Sequence, residues 1–238
     1  MSESPASPLV SKLERLSPLT ETDRRAVADL VDDEIWLAEG QNLCAEGRAP
    51  DAVCALLAGW ACRCKDFRDG RRQIIALLTP GDLIGCDEAG ASRKADHAVR
   101  ALTRVRVAWI PRPRLRATLA EHRGLASAVR MAVAMEEAIL RAWLVNLGQR
   151  PAYQRMAFFL CEMAERVSGG TGGAERFALP LTQQTLACVL GLTPVHVNRV
   201  LQRLRSEGLV DFHNGMVTMR DPVRTWALAG FDNEYLVA

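Results

Sequence analysis

Hydrophobic and polar positions change their period along the chain, and each change predicts a new kind of element. Over residues 9–32, leucines and valines recur among charged residues at helical spacing, which predicts a short helical lead-in. Between Ile35 and Ile110 the apolar runs shorten, and glycines separate them. Short strands between turn glycines predict an N-terminal β-barrel or jelly roll. The runs expected to form strands include Val53–Leu57, Ile74–Leu78 and Val105–Ile110.

Residues 112–147 return to helical spacing, with apolar residues on two faces of the helix. A helix that is apolar on two faces must bury both of them. One face is expected to cover the barrel, and the other to meet a second copy of the chain in a dimer interface. A single wide core stripe within a monomer is the alternative. The residues predicted for the dimer interface are Val129, Val133, Leu140 and Trp143.

The chain is expected to divide near residue 148, because Gly148-Gln-Arg-Pro151 has the composition of a hinge. Residues 1–147 then form the β domain with its long helix, about 112–147. Residues 148–238 form a second domain, which opens with a helix over 152–167. The predicted fold class is α+β.

Residues 179–210 have the pattern of a helix-turn-helix, in which two short amphipathic helices flank Gly191-Leu-Thr193. Thr182 is a suitable N-cap for the first helix, and Thr193 followed by Pro194 is suitable for the second, about 194–205. From Phe177 to Ser206 there is no aspartate or glutamate, whereas arginines recur on the second helix. Such a one-sided charge favours a polyanionic partner.

The spacing of the second helix separates core positions from positions that can contact DNA. Apolar residues such as Val197 and Leu204 are expected to face the core. Arg199 matches the two acceptors of guanine, and Asn198 has the donor and acceptor needed for adenine. A solvated basic face with no DNA contact is the alternative. The residues predicted to bind DNA are Thr182, Gln183, Thr193, Val195, His196, Asn198, Arg199 and Arg203.

After this helix, two short apolar runs flank Asn214-Gly215, the preferred pair for a tight hairpin turn. A hairpin behind a recognition helix is a wing. His213 and Asn214 at its tip are candidates for a phosphate contact, and a plain solvated turn is the equal alternative.

Composition further narrows the classes of protein to which the chain could belong. The net charge is only +2, so the prediction of DNA binding rests on the basic helix-turn-helix and not on the charge of the whole chain. The hydrophobic residues, at 49%, are enough to form buried cores. No apolar run reaches the roughly 18 residues of a membrane span, and no signal peptide is seen. The seven cysteines show no framework spacing, which favours reduced thiols in a cytoplasm. No phosphate loop, metalloprotease motif or nucleophile setting is found, so no catalytic residue, metal or cofactor is predicted and the protein is not expected to be an enzyme.

The order of barrel, long helix, hinge and winged helix-turn-helix resembles the Crp/Fnr superfamily of bacterial transcription regulators. The resemblance implies a homodimeric, sequence-specific regulator that reads two-fold symmetric sites, with double-stranded DNA, its own second copy and RNA polymerase as partners. The C-terminal segment is similar to an alphaproteobacterial subgroup. The segments that carry the resemblance are Gly59–Arg63, Asp69–Ile74, Pro80–Gly85, Asn146–Ala152, Leu192–Arg205 and Ala229–Leu236.

The sequence departs from relatives that bind cyclic nucleotides. Where they carry a glutamate for the ribose, this chain has Cys86, and where they carry an arginine for the cyclic phosphate, it has Ala95, with Arg93 two residues away. A degenerate pocket is therefore expected, and an atypical cyclic-nucleotide pocket is the alternative. Cysteines at iron–sulfur spacing are missing, and His97 and His122 are weak candidates for haem.

Cys62 and Cys64 lie two residues apart on a predicted strand, so both thiols are expected on one face. There they are suited to share a metal or to respond to an oxidant, and further cysteines at 44, 54 and 86 belong to the same predicted barrel. A structural role in the core is the favoured interpretation. A redox- or ligand-gated regulator, and an interaction protein that has lost DNA binding, remain as alternative functions.

Overall fold

The computed structural model describes residues 6–31, 33–49, 51–85, 94–169 and 172–236. The chain forms two compact units, one up to Glu136 and one from Glu137 to Val237. The division falls inside a continuous helix, earlier than the expected boundary after Leu147. The reason is that the C-terminal turns of this helix belong to the second unit, in which Trp143 and Asn146 both bond to the helix that follows.

The first unit contains eight strands among its described residues, preceded by two helices and followed by two more. Its helices are α1 (Ser7–Leu16), α2 (Glu21–Leu30), α3 (Arg112–Glu121) and the start of α4 (Arg123–Gln149). Its strands are β1 (Glu34–Leu37), β2 (Asn42–Cys44), β3 (Ala52–Ala58), β4 (Ala61–Asp66), β5 (Arg72–Leu78), β6 (Leu83–Ile84), β7 (Ala98–Ala101) and β8 (Val105–Pro111).

These strands form two antiparallel sheets, with orders β1-β8-β3-β6 and β2-β7-β4-β5. One apolar cluster takes residues from both sheets, including Leu56 of β3 and Val99 of β7. The barrel or jelly roll expected between Ile35 and Ile110 is therefore a jelly roll of two sheets, and these sheets are not closed into a barrel.

The helices of the first unit cover the outer face of one sheet. Alternate residues of β3 divide between two cores, because successive side chains of a strand point to opposite faces. Cys54 and Leu56 face the inner core, while Val53, Ala55 and Leu57 pack with the helices. Val129 of α4 belongs to this helical core.

The long helical segment differs from its prediction in two ways. It is broken at His122, which ends α3 and contacts Asp23 of α2 at 3.0 Å. Two of the four residues predicted for a dimer interface are buried within their own chain. Val129 packs in the helical core, and Trp143 is 4% exposed against α5. Periodicity identified the apolar face of α4 but could not tell which surface covers it.

The second unit is a winged helix-turn-helix. After the end of α4 it contains α5 (Ala152–Ser168), β9 (Arg176–Ala178), α6 (Gln183–Leu190), α7 (Pro194–Ser206), β10 (Val210–His213), β11 (Met216–Met219), α8 (Pro222–Ala229) and a 3₁₀ turn at Glu234–Leu236. β10, β11 and β9 form an antiparallel sheet, the predicted wing. Its tip turns through Asn214 and Gly215, with φ of 50° and 71°, as the Asn-Gly pair predicts.

Candidate DNA-binding surface

The two helices of the helix-turn-helix begin where the sequence placed them. The Thr182 hydroxyl accepts from the Thr185 amide at 3.0 Å, and the Thr193 hydroxyl accepts from the His196 amide at 3.2 Å. Gly191 ends α6 with φ of 62°, a backbone conformation that favours glycine. Both predicted N-caps are confirmed, so the hydroxyls of Thr182 and Thr193 serve their own helices.

The inward side of α7 is apolar and its outward side is polar. Val197, Val200 and Leu204 are buried, as predicted. Val195, His196 and Arg199 are exposed near the start of the helix. Asn198 is half-buried, and its amide donates to Gln183 of α6 at 3.5 Å, a long hydrogen bond that brings two predicted DNA contacts together.

The arginines of α7 differ in their partners. Arg199 makes no hydrogen bond or ion pair with the described parts of the chain, so its guanidinium is available to a ligand. Arg203 is engaged, because its Nε lies 2.8 Å from Glu207 and its guanidinium stacks 4.0 Å above the ring of Tyr153. Arg205 is paired with Asp211 at 2.9 Å. Arg199 is therefore better placed for a base contact than Arg203.

A hydrogen bond and a cation–π contact of Tyr153 join α5 to the C-terminal end of α7. The Tyr153 hydroxyl donates to Glu207 at 2.5 Å. Burial, together with the Glu207 carboxylate, raises the pKa of Tyr153 to about 12. The same hydrogen bond, and that from Arg203, lower the pKa of Glu207. Tyr153, Arg203 and Glu207 thus fix the C-terminal end of α7 against α5.

Two arginines that sequence reasoning missed hold the unit together. Arg155 donates to the carbonyls of Leu190 at 2.6 Å and Arg150 at 3.1 Å, which joins the end of α6 to the segment after α4. Arg150 donates to the carbonyls of Ala229 and Gly230 at the end of α8. Arg150 lies in the Asn146–Ala152 segment noted above, whereas nothing in the local pattern singles out Arg155.

A buried carboxylate connects α4, α5 and the C-terminal turn. Glu162 accepts from the Trp143 indole at 2.9 Å and from the Tyr235 hydroxyl at 2.8 Å, and Arg166 lies 3.4 Å away. Burial raises the pKa of Glu162, although these donors act in the opposite direction. Tyr235 also stacks on Phe158, so the C-terminal turn is packed into the unit.

The jelly roll of the first unit contains a small cavity that is partly open to solvent. Ala95 lies on its wall, at the position expected for the phosphate-binding arginine. Cys86 and Arg93 lie outside the described residues. Both ring nitrogens of His97 are engaged, by Asp96 at 2.6 Å and by Arg63 at 3.0 Å. His122 is bonded to Asp23, so neither histidine proposed for haem presents an unengaged ring to the cavity.

Cys62 and Cys64 are in contact but inaccessible. The pairing of β4 with β5 shifts register between Arg63 and Cys64, and the Cys62 and Cys64 thiols share a hydrogen bond. This bond raises the pKa of Cys62 and, with the nearby Arg72 and Arg100, lowers the pKa of Cys64 to about 7. The residues are 1% and 0% exposed, which closes them to an oxidant in this conformation. Within the described ranges, no group of three or more histidine, cysteine or acidic residues is arranged to hold a metal.

None of the helices in the described parts of the chain combines the length and the apolar character that a membrane span requires.

Comparison with known proteins agrees with this architecture. Residues 34–122 match the cyclic nucleotide-binding domain family, and residues 154–224 match the Crp-like helix-turn-helix domain family. The nitrogen fixation regulation protein FixK of Azorhizobium caulinodans is 30% identical over 187 residues, covering 77% of this chain and 74% of that protein. FixK of Bradyrhizobium diazoefficiens is 29% identical over 195 residues, covering 82% and 81%.

A solved structure agrees as well. The structure of FixK2 from Bradyrhizobium japonicum superposes with a TM-score of 0.73 at 26% identity, covering 84% of this chain and 98% of that one. The chain belongs to the Crp/Fnr family of DNA-binding transcription regulators, as its sequence motifs predicted. It resembles the FixK-type regulators of alphaproteobacteria.

Proposed function

We propose that this regulator acts as a homodimer on two-fold symmetric DNA sites, with one α7 helix in the major groove of each half-site. The observation that carries the proposal is Arg199, an exposed guanidinium without an intramolecular partner on the described chain, near the start of a capped helix that lacks acidic residues. Residues near the N-terminus of a recognition helix are those that reach base edges in this docking mode.

For the individual side chains we propose distinct roles. Arg199 contacts guanine through both acceptors, and Asn198 contacts adenine. Val195 and His196 lie against base edges, where the Val195 side chain suits a thymine methyl. Backbone amides at the starts of α6 and α7, next to Thr182, Gln183 and Thr193, bind phosphate. For Arg203 we propose a positioning role, because Glu207 and Tyr153 already hold its guanidinium.

The proposed dimer surface is an apolar side of α4 whose residues are exposed or, for Ala138, half-buried. It comprises Met131, Ala138, Leu144 and Val145, and is called the α4 strip below. Met131, Ala138 and Val145 recur at heptad spacing, the period of a two-helix interface. Leu144 is 73% exposed and Val145 53%, which is costly for an isolated helix in water. Val133 and Leu140 remain candidates at the edge of the strip, because both are only half-buried.

Beyond the family assignment, we propose that the chain has no catalytic activity of its own, works in the cytoplasm and acts on transcription through contact with RNA polymerase. We further propose that residues 1–147 work as the sensor with its dimerisation helix and residues 148–238 as the DNA reader.

In vitro selection from random duplex DNA with the full-length protein tests whether the protein binds DNA sequence-specifically. The expected result is a two-fold symmetric motif with half-site centres roughly 34 Å apart. Arg199→Ala should relax the preference at one position of each half-site, at a cost of roughly 1–3 kcal/mol per contact. Arg205→Ala is the matched control, because Arg205 lies on the same helix but is paired with Asp211. An Arg199→Ala protein with the parent's base preference would contradict the proposed role of this residue.

A further inference from the structure

Cys62 and Cys64 lie side by side on the face of β4 that points away from the internal cavity. Successive side chains of a strand point to opposite faces of its sheet. Ala61 belongs to the core between the two sheets, and Arg63 lines the cavity and pairs with Glu136 of α4. β4 pairs with β7 in an unbroken register from Ala61 to Cys64, so the alternation is regular there. The two thiols therefore share the opposite face.

The two thiols are in direct contact with each other. They share a hydrogen bond, and both residues are buried. A proton lies between the two sulfur atoms in such a contact. An ion that accepts two sulfur ligands in line fits the same position, because it replaces the shared proton and needs little more space. In the part of the chain that the structure describes, no group of three or more histidine, cysteine or acidic side chains is arranged around a metal, so a larger ligand set is not available there.

Two arginines of the neighbouring strands place positive charge beside the thiols. Arg100 of β7 is directly opposite Cys62 in register, and Arg72 of β5 acts electrostatically on both thiols. The two guanidiniums share the carboxylate of Asp66, at 2.5 Å from Arg72 and 3.3 Å from Arg100. Two positive charges and one negative charge leave this group with a surplus of one positive charge, which favours an anionic occupant.

From this geometry we infer that Cys62 and Cys64 bind one Cu(I) ion between their sulfur atoms, as a two-coordinate dithiolate. Soft thiolate ligands favour Cu(I) and Zn(II) among the metals of the cell. Zn(II) fits the pair poorly, because structural zinc takes four ligands.

The charge of the product matches its surroundings. Two S–H bonds break, two Cu–S bonds form, and both protons pass to water, while copper stays in the Cu(I) state throughout. The resulting dithiolate complex carries one negative charge, which the surplus positive charge of Arg72 and Arg100 offsets. A divalent ion on the same two thiolates would give a neutral complex and leave that surplus in place. The pair therefore suits a monovalent soft ion, and Ag(I) shares this chemistry.

Competition with the Cu(I) chelator bathocuproine disulfonate, under argon and without DNA, tests the inference on the full-length protein. The background protein carries Cys44→Ser, Cys86→Ser and Cys188→Ser, which removes the two half-buried thiols and the one outside the described residues. It should bind one Cu(I) per chain, and slowly, because the β4 region must open first. In this background Cys62→Ala should weaken Cu(I) binding at least about a hundredfold, because a single thiolate cannot chelate. Cys161→Ala is the matched control, since Cys161 is also fully buried but lies on α5.

Arg72→Gln tests the charge of the complex. It should weaken Cu(I) binding about tenfold, because the anionic dithiolate loses a neighbouring cation. An ion bound without an anionic complex would instead keep its affinity in this variant or gain some. Arg71→Gln is the matched control, because Arg71 precedes Arg72 in the chain but pairs with Asp69. Circular dichroism shows whether each variant folds.

X-ray absorption at the copper edge needs no substitution in the pair, and it should show two sulfur ligands. Ag(I) should compete with Cu(I) for the site, whereas Zn(II) should not. Equal Cu(I) affinity in the Cys62→Ala and Cys161→Ala proteins would overturn the inference. More than two ligands on the copper, or unchanged or tighter binding in Arg72→Gln, would do the same. Failure of the DNA selection would instead affect only the proposed function.

Discussion

The indole nitrogen of Trp143 donates to both carboxylate oxygens of Glu162, at 2.9 Å each. Trp143 lies near the C-terminal end of α4, and Glu162 is fully buried on α5. The edge of the Trp143 ring also meets Phe159, with the ring centroids 6.1 Å apart. The end of α4 is therefore fixed to the DNA-reading unit by both a polar and an aromatic contact.

Trp143→Phe should lower the free energy of unfolding by about 1–3 kcal/mol, because it leaves a buried carboxylate without one of its donors. Urea denaturation followed by circular dichroism measures the change. Trp36→Phe is the control and should be nearly neutral, because Trp36 is about half exposed. If Trp143→Phe instead weakened the dimer and left the stability of the unit unchanged, Trp143 would belong to the dimer surface after all.

Stability should depend on pH through Glu162. Burial raises the pKa of this carboxyl above its ordinary value of 4.5, so the folded chain keeps the proton at pH values where the unfolded chain has lost it. The resulting stabilisation is complete below the ordinary pKa and is lost as the pH rises through the raised pKa. Glu162→Gln cannot ionise, so the parent should lose stability relative to this variant as the pH rises above 4.5 and through the raised pKa of Glu162. Glu137→Gln should follow the parent at every pH, and parallel curves for parent and Glu162→Gln would contradict the prediction.

Leu144→Glu should convert the protein from dimer to monomer. A charge placed within the α4 strip cannot be buried against a second copy, and the dissociation constant should rise by at least roughly tenfold. Sedimentation velocity over a range of concentrations measures it. Val223→Glu is a matched control, because Val223 is as exposed as Leu144 but lies on α8, outside the strip. If Leu144→Glu left the dimer unchanged, the α4 strip would be excluded as the dimer surface.

Arg203→Ala should leave the salt dependence of DNA binding close to that of the parent. Each phosphate contact contributes about 0.9 to the slope of log affinity against log salt, and Arg203 is already engaged by Glu207 and Tyr153. Titrations at several salt concentrations give the slope. A decrease of about one in the slope would show that Arg203 contacts a phosphate, and would restore it to the DNA-binding residues that the sequence predicted.

Cys62 and Cys64 should react with iodoacetamide more than about tenfold more slowly than Cys44 and Cys188, which are half-buried. Reaction requires the β4 region to open, even though the pKa of Cys64, about 7, favours a thiolate. Mass spectrometry of protein digested after short labelling times measures how fast each of these cysteines reacts. Rapid labelling of Cys64 would revive the redox-gated alternative.

The helix-turn-helix was predictable because its signals are local. The caps at Thr182 and Thr193, the turn at Gly191 and the Asn214-Gly215 hairpin each lie within a few residues of the structure that they specify. The strands of the jelly roll followed for the same reason, from short apolar runs between glycines.

Long-range contacts were not predictable in this way. The apolar period of α4 is the same whether a residue meets its own chain or another, so the period did not indicate that Val129 and Trp143 are buried within their own chain. The contact between Arg63 and Glu136 joins residues 73 positions apart, and no spacing in the sequence indicates it. The burial of Cys62 and Cys64 likewise depends on the position of β4 between β5 and β7, which the spacing of the two cysteines does not indicate.

The boundary between the two units passes between Glu136 and Glu137, inside α4 rather than through a loop. An α-helix resists twisting, because each turn is closed by hydrogen bonds to the next, and each residue advances it by about 100°. A single added residue there would turn every later side chain of the helix by that angle, whereas the same insertion in a glycine-rich loop would be absorbed. The number of residues in this stretch therefore fixes the direction in which the later side chains of α4 point. An insertion or deletion there would change that direction for all of them, whereas a substitution would change one side chain.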